Sequence, residues 1–190
     1  MENDARARVL ARCAEEPNMA WEIVETGKDR VDALALIGSC TFLETFAGVL
    51  EGAAIIAHCE RKHSASAYAK YLGDGATAWL ALSAIGGAPI GFALLDRPEL
   101  PGMREDESDL ELKRIYVLSR FHGDGLGASL MDHAAPTAKV KGAQRLLVGA
   151  YAGHTRALAF YSKNGFYHIA DRRFRVGDTE YDDVVLAKLL

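Results

Sequence analysis

The chain has 190 residues, 49% hydrophobic and 25% charged, with a formal net charge of -4. That length holds one domain with a sizeable core, and the balance is that of a globular protein rather than a disordered one. The acidic excess, with no basic block, argues against nucleic acid as a partner. No run of eighteen apolar residues appears, so no membrane span or membrane partner is expected.

The N-terminal stretch "MENDARARVLARCAEEP" lacks a long apolar run and is expected to be a frayed or helical extension over residues 1–18, not a secretory signal. The domain proper is expected at 19–190. A first strand is predicted over 19–27, with Trp21, Ile23 and Val24 as core candidates. Apolar residues then recur at helical spacing (Val31, Leu34, Ala35, Phe42, Phe46), and Gly38 and Ser39 are expected to break this stretch into two helices. A further helical stretch, interrupted near His63 and Ser64, ends at Gly73–Gly75.

Two strand-like runs, 77–85 and 88–96, flank Gly86-Gly87 and predict a β-hairpin. A polar loop (97–109), a strand (110–118), a helix (about 125–140), a strand (144–151) and a helix (154–165) ending at Asn164-Gly165 follow. Two last strands surround "GDTE". The order describes a mixed α/β single domain. Its strand–helix–strand unit over 110–151 predicts parallel strands with a right-handed crossover. Cys13, Cys40 and Cys59 show no metal-ligand spacing, so no metal is expected. Buried or half-buried thiols in a reducing compartment are expected of them, and with that a cytoplasmic location.

The stretch "YVLSRFHGDGLGASLM" places Gly123, Gly125 and Gly127 between a strand and a helix. Glycines let backbone N–H groups face a ligand with no Cβ in the way, and the helix dipole adds positive character. That combination suits a phosphate or pyrophosphate. Gly123 to Ala128 fits Gly-x-Gly-x-x-Ala, but a dinucleotide site also expects an acidic residue about 20 positions on, and none lies between Asp132 and Asp171. A Gly-Lys-Ser/Thr phosphate loop is absent too.

"RIYVLSRFHGDGLGASLM" resembles the coenzyme A signature of the GNAT-type N-acetyltransferases, with His122 where Gln or Arg is usual. "HTRALAFYSKNGF" is similar to their second signature, with Ala157, Phe160, Tyr161, Gly165 and Phe166 matching and His154 in an Asn position. More loosely, "TFLETF" and "FRVGDTEYDDVVLAKLL" resemble a bacterial branch that includes polyamine acetyltransferases.

The resemblance implies a GNAT-like α+β fold. Its mixed, mostly antiparallel sheet of about six to seven strands is splayed between the fourth and fifth and flanked by helices. It implies acetyl-CoA as cosubstrate and direct acetyl transfer to a small-molecule primary amine, a polyamine or similar cation among the acceptors. It assigns cofactor contacts to Ile115, Tyr116 and Val117, to His122, Gly123, Asp124, Gly125, Leu126, Gly127 and Ala128, and to His154 and Tyr161. Tyr161 would protonate the departing thiolate, a role its phenol suits. Phe160 is expected to serve packing.

Glu111 is the candidate base. It shares a face with Lys113, Ile115 and Val117 only in a strand without a bulge, and a surface pairing with Lys113 or Arg145 is the competing expectation. Gly149 and Tyr151 leave the partner strand without the acid that other members carry there. His58, His63 and His133 are expected to be solvated, as are most acids of "REDESD" and "GDTEYDD", and Arg120 and Lys163 are candidates for phosphate contacts. A homodimer is among the expected states, because dimers are frequent in such a family. Two further readings stay open: a protein N-terminal or lysine acetyltransferase, and an acetyl-CoA-binding sensor without turnover.

Overall fold

The structure, a computed structural model, describes residues 21–100, 106–176 and 179–190. The extension expected at 1–18 and part of the "GDTE" turn lie outside these residues. Among the described residues seven strands form one sheet in the order β1-β2-β3-β4-β5-β7-β6. They are β1 (Trp21–Thr26), β2 (Thr77–Ser83), β3 (Pro89–Asp96), β4 (Asp109–Val117), β5 (Arg145–Tyr151), β6 (Tyr167–Val176) and β7 (Thr179–Leu189). Every neighbouring pair is antiparallel except β4–β5, which is parallel. The helices are α1 (Val31–Phe46), α2 (Gly52–Lys62), α3 (Ala65–Gly73), α4 (Leu126–Val140) and α5 (Thr155–Lys163). Among the described residues no helix is long and apolar enough to cross a membrane.

Strands β2 and β3 read as unbroken apolar runs because both of their faces are covered. Ala78, Leu80, Phe92 and Leu94 face α1 and α3, where Leu34, Ile37 and Tyr68 are fully or almost fully buried. Trp79, Ala81, Ala93 and Leu95 face α4, through Leu126, Leu130, Met131 and Ala134. Burying each large apolar side chain contributes about 1.5–3 kcal/mol. The hairpin between β2 and β3 turns where expected, with Gly86 at φ 77 and Gly87 at φ 64, values that favour glycine.

Helix α1 corrects one expectation. It runs unbroken through Gly38 and Ser39. A Cβ on Gly38 would overlap the Tyr68 hydroxyl and His63 Nδ1, which hydrogen-bond at 2.9 Å directly against it. Gly38 lets two buried side chains approach the helix backbone; it does not end the helix. Of the cysteines described, Cys59 is half-buried but Cys40 is exposed, contrary to expectation.

Two features of β4 position everything that follows. The strand pairs with β5 only over Asp109–Glu111 against Arg145–Leu147. Beyond that the two strands part, as the expected splay requires. The fork is fastened by Arg145, whose Nε and Nη2 donate to the Asp109 carboxylate at 2.8 and 2.6 Å. Second, the β3–β4 register shifts: Leu94 faces Arg114 while Leu95 faces Leu112. Lys113 is thus an extra residue, a bulge that re-aims side chains.

Candidate functional site

The splayed strands open into one continuous cavity of about 720 Å³. One end lies at the turn before α4. Gly123 and Gly125 have φ of 98 and 89, and no atom lies within 4 Å of where a Cβ would stand on either. Gly125 is the N-cap of α4 and offers no side chain to its first-turn amides. These free amides, with the positive helix end, fit the pyrophosphate of a coenzyme A. Gly123, Gly125, Gly127 and Ala128 line the cavity. Asp124 is exposed and outside the lining, and the Leu126 side chain is buried in the core, so only its amide remains for a ligand.

The Leu118 N–H bonds to the Ile90 carbonyl at 2.9 Å. By antiparallel alternation, Tyr116 also directs its backbone groups to β3, whereas Ile115 and Val117 turn theirs toward the gap. This corrects the expectation for Tyr116. Its contribution is its ring, which stacks on Phe92 at 5.9 Å and lines the cavity. The Val117 carbonyl already accepts a 2.7 Å hydrogen bond from His122 Nε2, which fixes the proton on that nitrogen.

Tyr161 lines the cavity, 7% exposed, wedged against Phe160 and Phe166 with ring centroids 5.5 Å from each. Burial, reinforced by Tyr116, raises its pKa, so the phenol holds its proton through the neutral range. Phe160 also lines the cavity and packs against the face of Gly127, where a Cβ would come within 3.3 Å. His154 caps α5 without a side-chain bond and faces the cavity. Burial, and then Arg156 and His122, lowers its pKa. Arg120 stacks over Phe121 and lies outside the lining, as does Lys163; Arg156, two residues after His154, lines the cavity.

The other end lies beneath α1 and α2. The bulge at Lys113 brings Glu111 into the lining together with Lys113 and Arg114. Glu111 is buried, and its Oε2 accepts from the Glu99 N–H at 2.8 Å and from Lys113 at 3.2 Å. Both sequence readings thus meet in one residue: Glu111 faces the cavity and pairs with Lys113. It does not pair with Arg145, which holds Asp109.

Several lining residues escaped the sequence reading. Asp183, in the acidic "YDD" taken as solvated, is buried and accepts from Arg172 at 2.6 and 2.9 Å. Burial raises its pKa although Arg172 opposes the rise. Gly149 makes room for that guanidinium, since a Cβ there would strike Arg172 at 2.5 Å. The register pair Arg172↔Asp183 was the only signal, and it requires the strand pairing.

His58 and His63 are buried, not solvated, at 8% and 2% exposure; His133 is exposed as expected. Burial and Arg114 hold His58 down at about 4 and His63 at about 2, so both are neutral. His58 stacks on Phe42 at 4.2 Å. Phe42, Phe46, Tyr151, Phe174 and Tyr181 complete an aromatic chamber. Glu44 of α1 accepts from the Ser119 N–H and hydroxyl at 2.9 and 3.1 Å, tying the helix across the cavity mouth. Among the described residues no three His, Cys, Asp or Glu side chains converge as metal ligands would.

Comparison with known proteins agrees with this arrangement. An uncharacterized N-acetyltransferase of Mycobacterium tuberculosis is 31% identical over 159 residues, which span 84% of this chain and 97% of that protein. The PaiA N-acetyltransferase of Thermoplasma acidophilum, solved in complex with coenzyme A, superposes with a TM-score of 0.71 at 20% identity, over 90% of this chain and 100% of that one. The ribosomal-protein-alanine N-acetyltransferase of Brucella melitensis gives a TM-score of 0.65 at 20% identity, over 89% and 99% of the two chains. Residues 54–166 match the acetyltransferase (GNAT) family profile, and with the forked sheet and the glycine turn at its edge this chain belongs to the GNAT family of N-acetyltransferases.

Proposed function

We propose that this enzyme transfers the acetyl group of acetyl-CoA to the primary amine of a small molecule, by direct attack with both substrates bound. The observation that carries the reading is the continuity of the cavity. It runs from the bare amides before α4, past Tyr161, into a chamber roofed by α1 and α2.

Acetyl-CoA supplies the thioester. The amides from Gly123 to Ala128 hold its diphosphate, and the outward backbone groups of Ile115 with the Val117 N–H align its arm along the open edge of β4. His122 and His154 flank that path. Glu111 takes a proton from the acceptor ammonium, freeing its lone pair. The nitrogen then bonds to the acetyl carbon as the carbon–sulfur bond breaks. Tyr161 gives its phenolic proton to the departing sulfur. Of the two protons the ammonium sheds, one replaces that on Tyr161 and the other reaches solvent.

The test is release of free thiol from acetyl-CoA across a panel of polyamines, aromatic amines, amino acids and short peptides. Turnover on small amines above peptides is expected. A preference for peptides would support the protein-acetylating reading, which the roof over the chamber disfavours. Tyr161→Phe is expected to slow release at least about 100-fold while coenzyme A still binds by calorimetry. An unchanged rate would remove Tyr161 from the mechanism, and binding with no turnover on any amine would favour the sensor.

A further inference from the structure

The chamber beyond Tyr161 carries chemistry that narrows the acceptor. Four buried side-chain polar atoms lack a hydrogen-bond partner among the described residues, and two of them, His58 Nδ1 and Arg114 Nη1, belong to residues lining this chamber. Arg114 is 9% exposed. Its Nη2 donates to the Lys62 carbonyl at 3.0 Å, and its guanidinium lies 5.3 and 5.0 Å from the rings of Tyr68 and Tyr71. Among the described residues no carboxylate forms an ion pair with it. A buried guanidinium with an unmet donor is costly until an anion or acceptor arrives.

The lining carboxylates are all engaged. Glu44 holds Ser119, Glu111 and Glu99 hold Lys113, and Asp183 holds Arg172. Among the described residues, and leaving out Arg156, close to His154, and Glu44, at the mouth, four cationic side chains line the cavity against three carboxylates, on a chain whose net charge is -4. A polycation would enter a chamber whose surplus charge repels it. The remaining wall is aromatic: Phe42, Phe46, Tyr151, Phe174 and Tyr181.

We infer that the acceptor is an amine carrying a carboxylate beside an aromatic or large apolar body, an amino acid in kind, with Arg114 receiving the carboxylate and the rings receiving the body. The guanidinium turns slightly to present Nη1, and a two-donor grip on a carboxylate results. His58, neutral in its stack on Phe42, offers its free Nδ1 as a second polar contact. This inference rests on the acetyl-transfer reading and specifies its acceptor.

Thiol release with phenylalanine, phenethylamine and spermidine, together with calorimetry of N-acetylphenylalanine on the coenzyme A-bound enzyme, tests it. Phenylalanine is expected to exceed phenethylamine about 100-fold in kcat/KM, with spermidine lowest. In Arg114→Ala and Arg114→Lys the phenylalanine-to-phenethylamine ratio should collapse toward one, and N-acetylphenylalanine binding should be lost in Arg114→Ala. A purely structural Arg114 would lower both rates together and keep the ratio, which overturns the inference. So does phenethylamine or spermidine equalling phenylalanine in the unaltered enzyme. No turnover on any amine, with Arg114-dependent binding of N-acetylphenylalanine, would sink the transfer reading but uphold the pocket. Neither turnover nor binding overturns both.

Discussion

At the turn before α4 the cavity wall is mostly backbone, and beneath α1 and α2 it is mostly side chain. The first end depends on two glycines with positive φ, a helix start and an unpaired strand edge, all within one short stretch of sequence. The second is assembled from α1, α2, β4, β5 and the β6–β7 hairpin. A backbone site can serve one fixed guest and be written as a local motif. A side-chain site can change its guest by changing residues far apart in the chain, with the cofactor end untouched.

The contrast can be broken at Gly38, which supports the side-chain end. An exposed mid-helix glycine replaced by alanine gains about 0.5–1 kcal/mol. Here the added methyl meets His63 and Tyr68 instead, so Gly38→Ala is expected to lose about 2–3 kcal/mol, seen as a Tm lowered by roughly 5–10 °C. A raised Tm would show that the contact yields freely.

Of comparable size is the response to acid, about 2 kcal/mol for each of two histidines between pH 7 and 5. His58 and His63 titrate well below their unfolded value, so above about pH 6.5 their protonation leaves stability unchanged. As pH falls below that, the unfolded chain takes up protons that the native one refuses. Each histidine then removes about 1.4 kcal/mol per pH unit, down to about pH 4 for His58 and further for His63. Denaturant melts between pH 7 and 5 should show this decline, and His63→Gln should make it shallower. An equal slope in that variant would mean that the buried ring takes up protons as an exposed one does.

The backbone end calls for the mildest change. Gly125→Ala forces a Cβ into left-handed backbone at a cost of about 1 kcal/mol. The KM for acetyl-CoA should rise about fivefold while the ranking of amines stays the same. A changed ranking would show that the two ends are not independent.

The same contrast explains what was legible in the sequence. Strand periodicity, the Gly86-Gly87 hairpin and the glycine turn are local, and each was placed within a few residues. Gly38 was misread because a helical glycine looks alike whether it ends a helix or admits a neighbour, and His63 and Tyr68 arrive from later in the chain. The bulge at Lys113 leaves no mark in sequence, so the facing of Glu111 stayed open. Asp183 looked like a loop acid because Arg172 lies 11 residues away, across a strand pair.

The short ladder between β4 and β5, with Arg145 clasping Asp109 at its root, works like the rivet of a pair of tongs. The blades reach Val117 on one side and Tyr151 on the other, roughly 26 and 20 Å from that rivet at about 3.3 Å per residue. A tilt of about three degrees at the root displaces the blade tips by about 1 Å, a misplacement that costs reactions on the order of 100-fold. A half-buried arginine remote from any reacting atom thereby governs how wide the jaws stand.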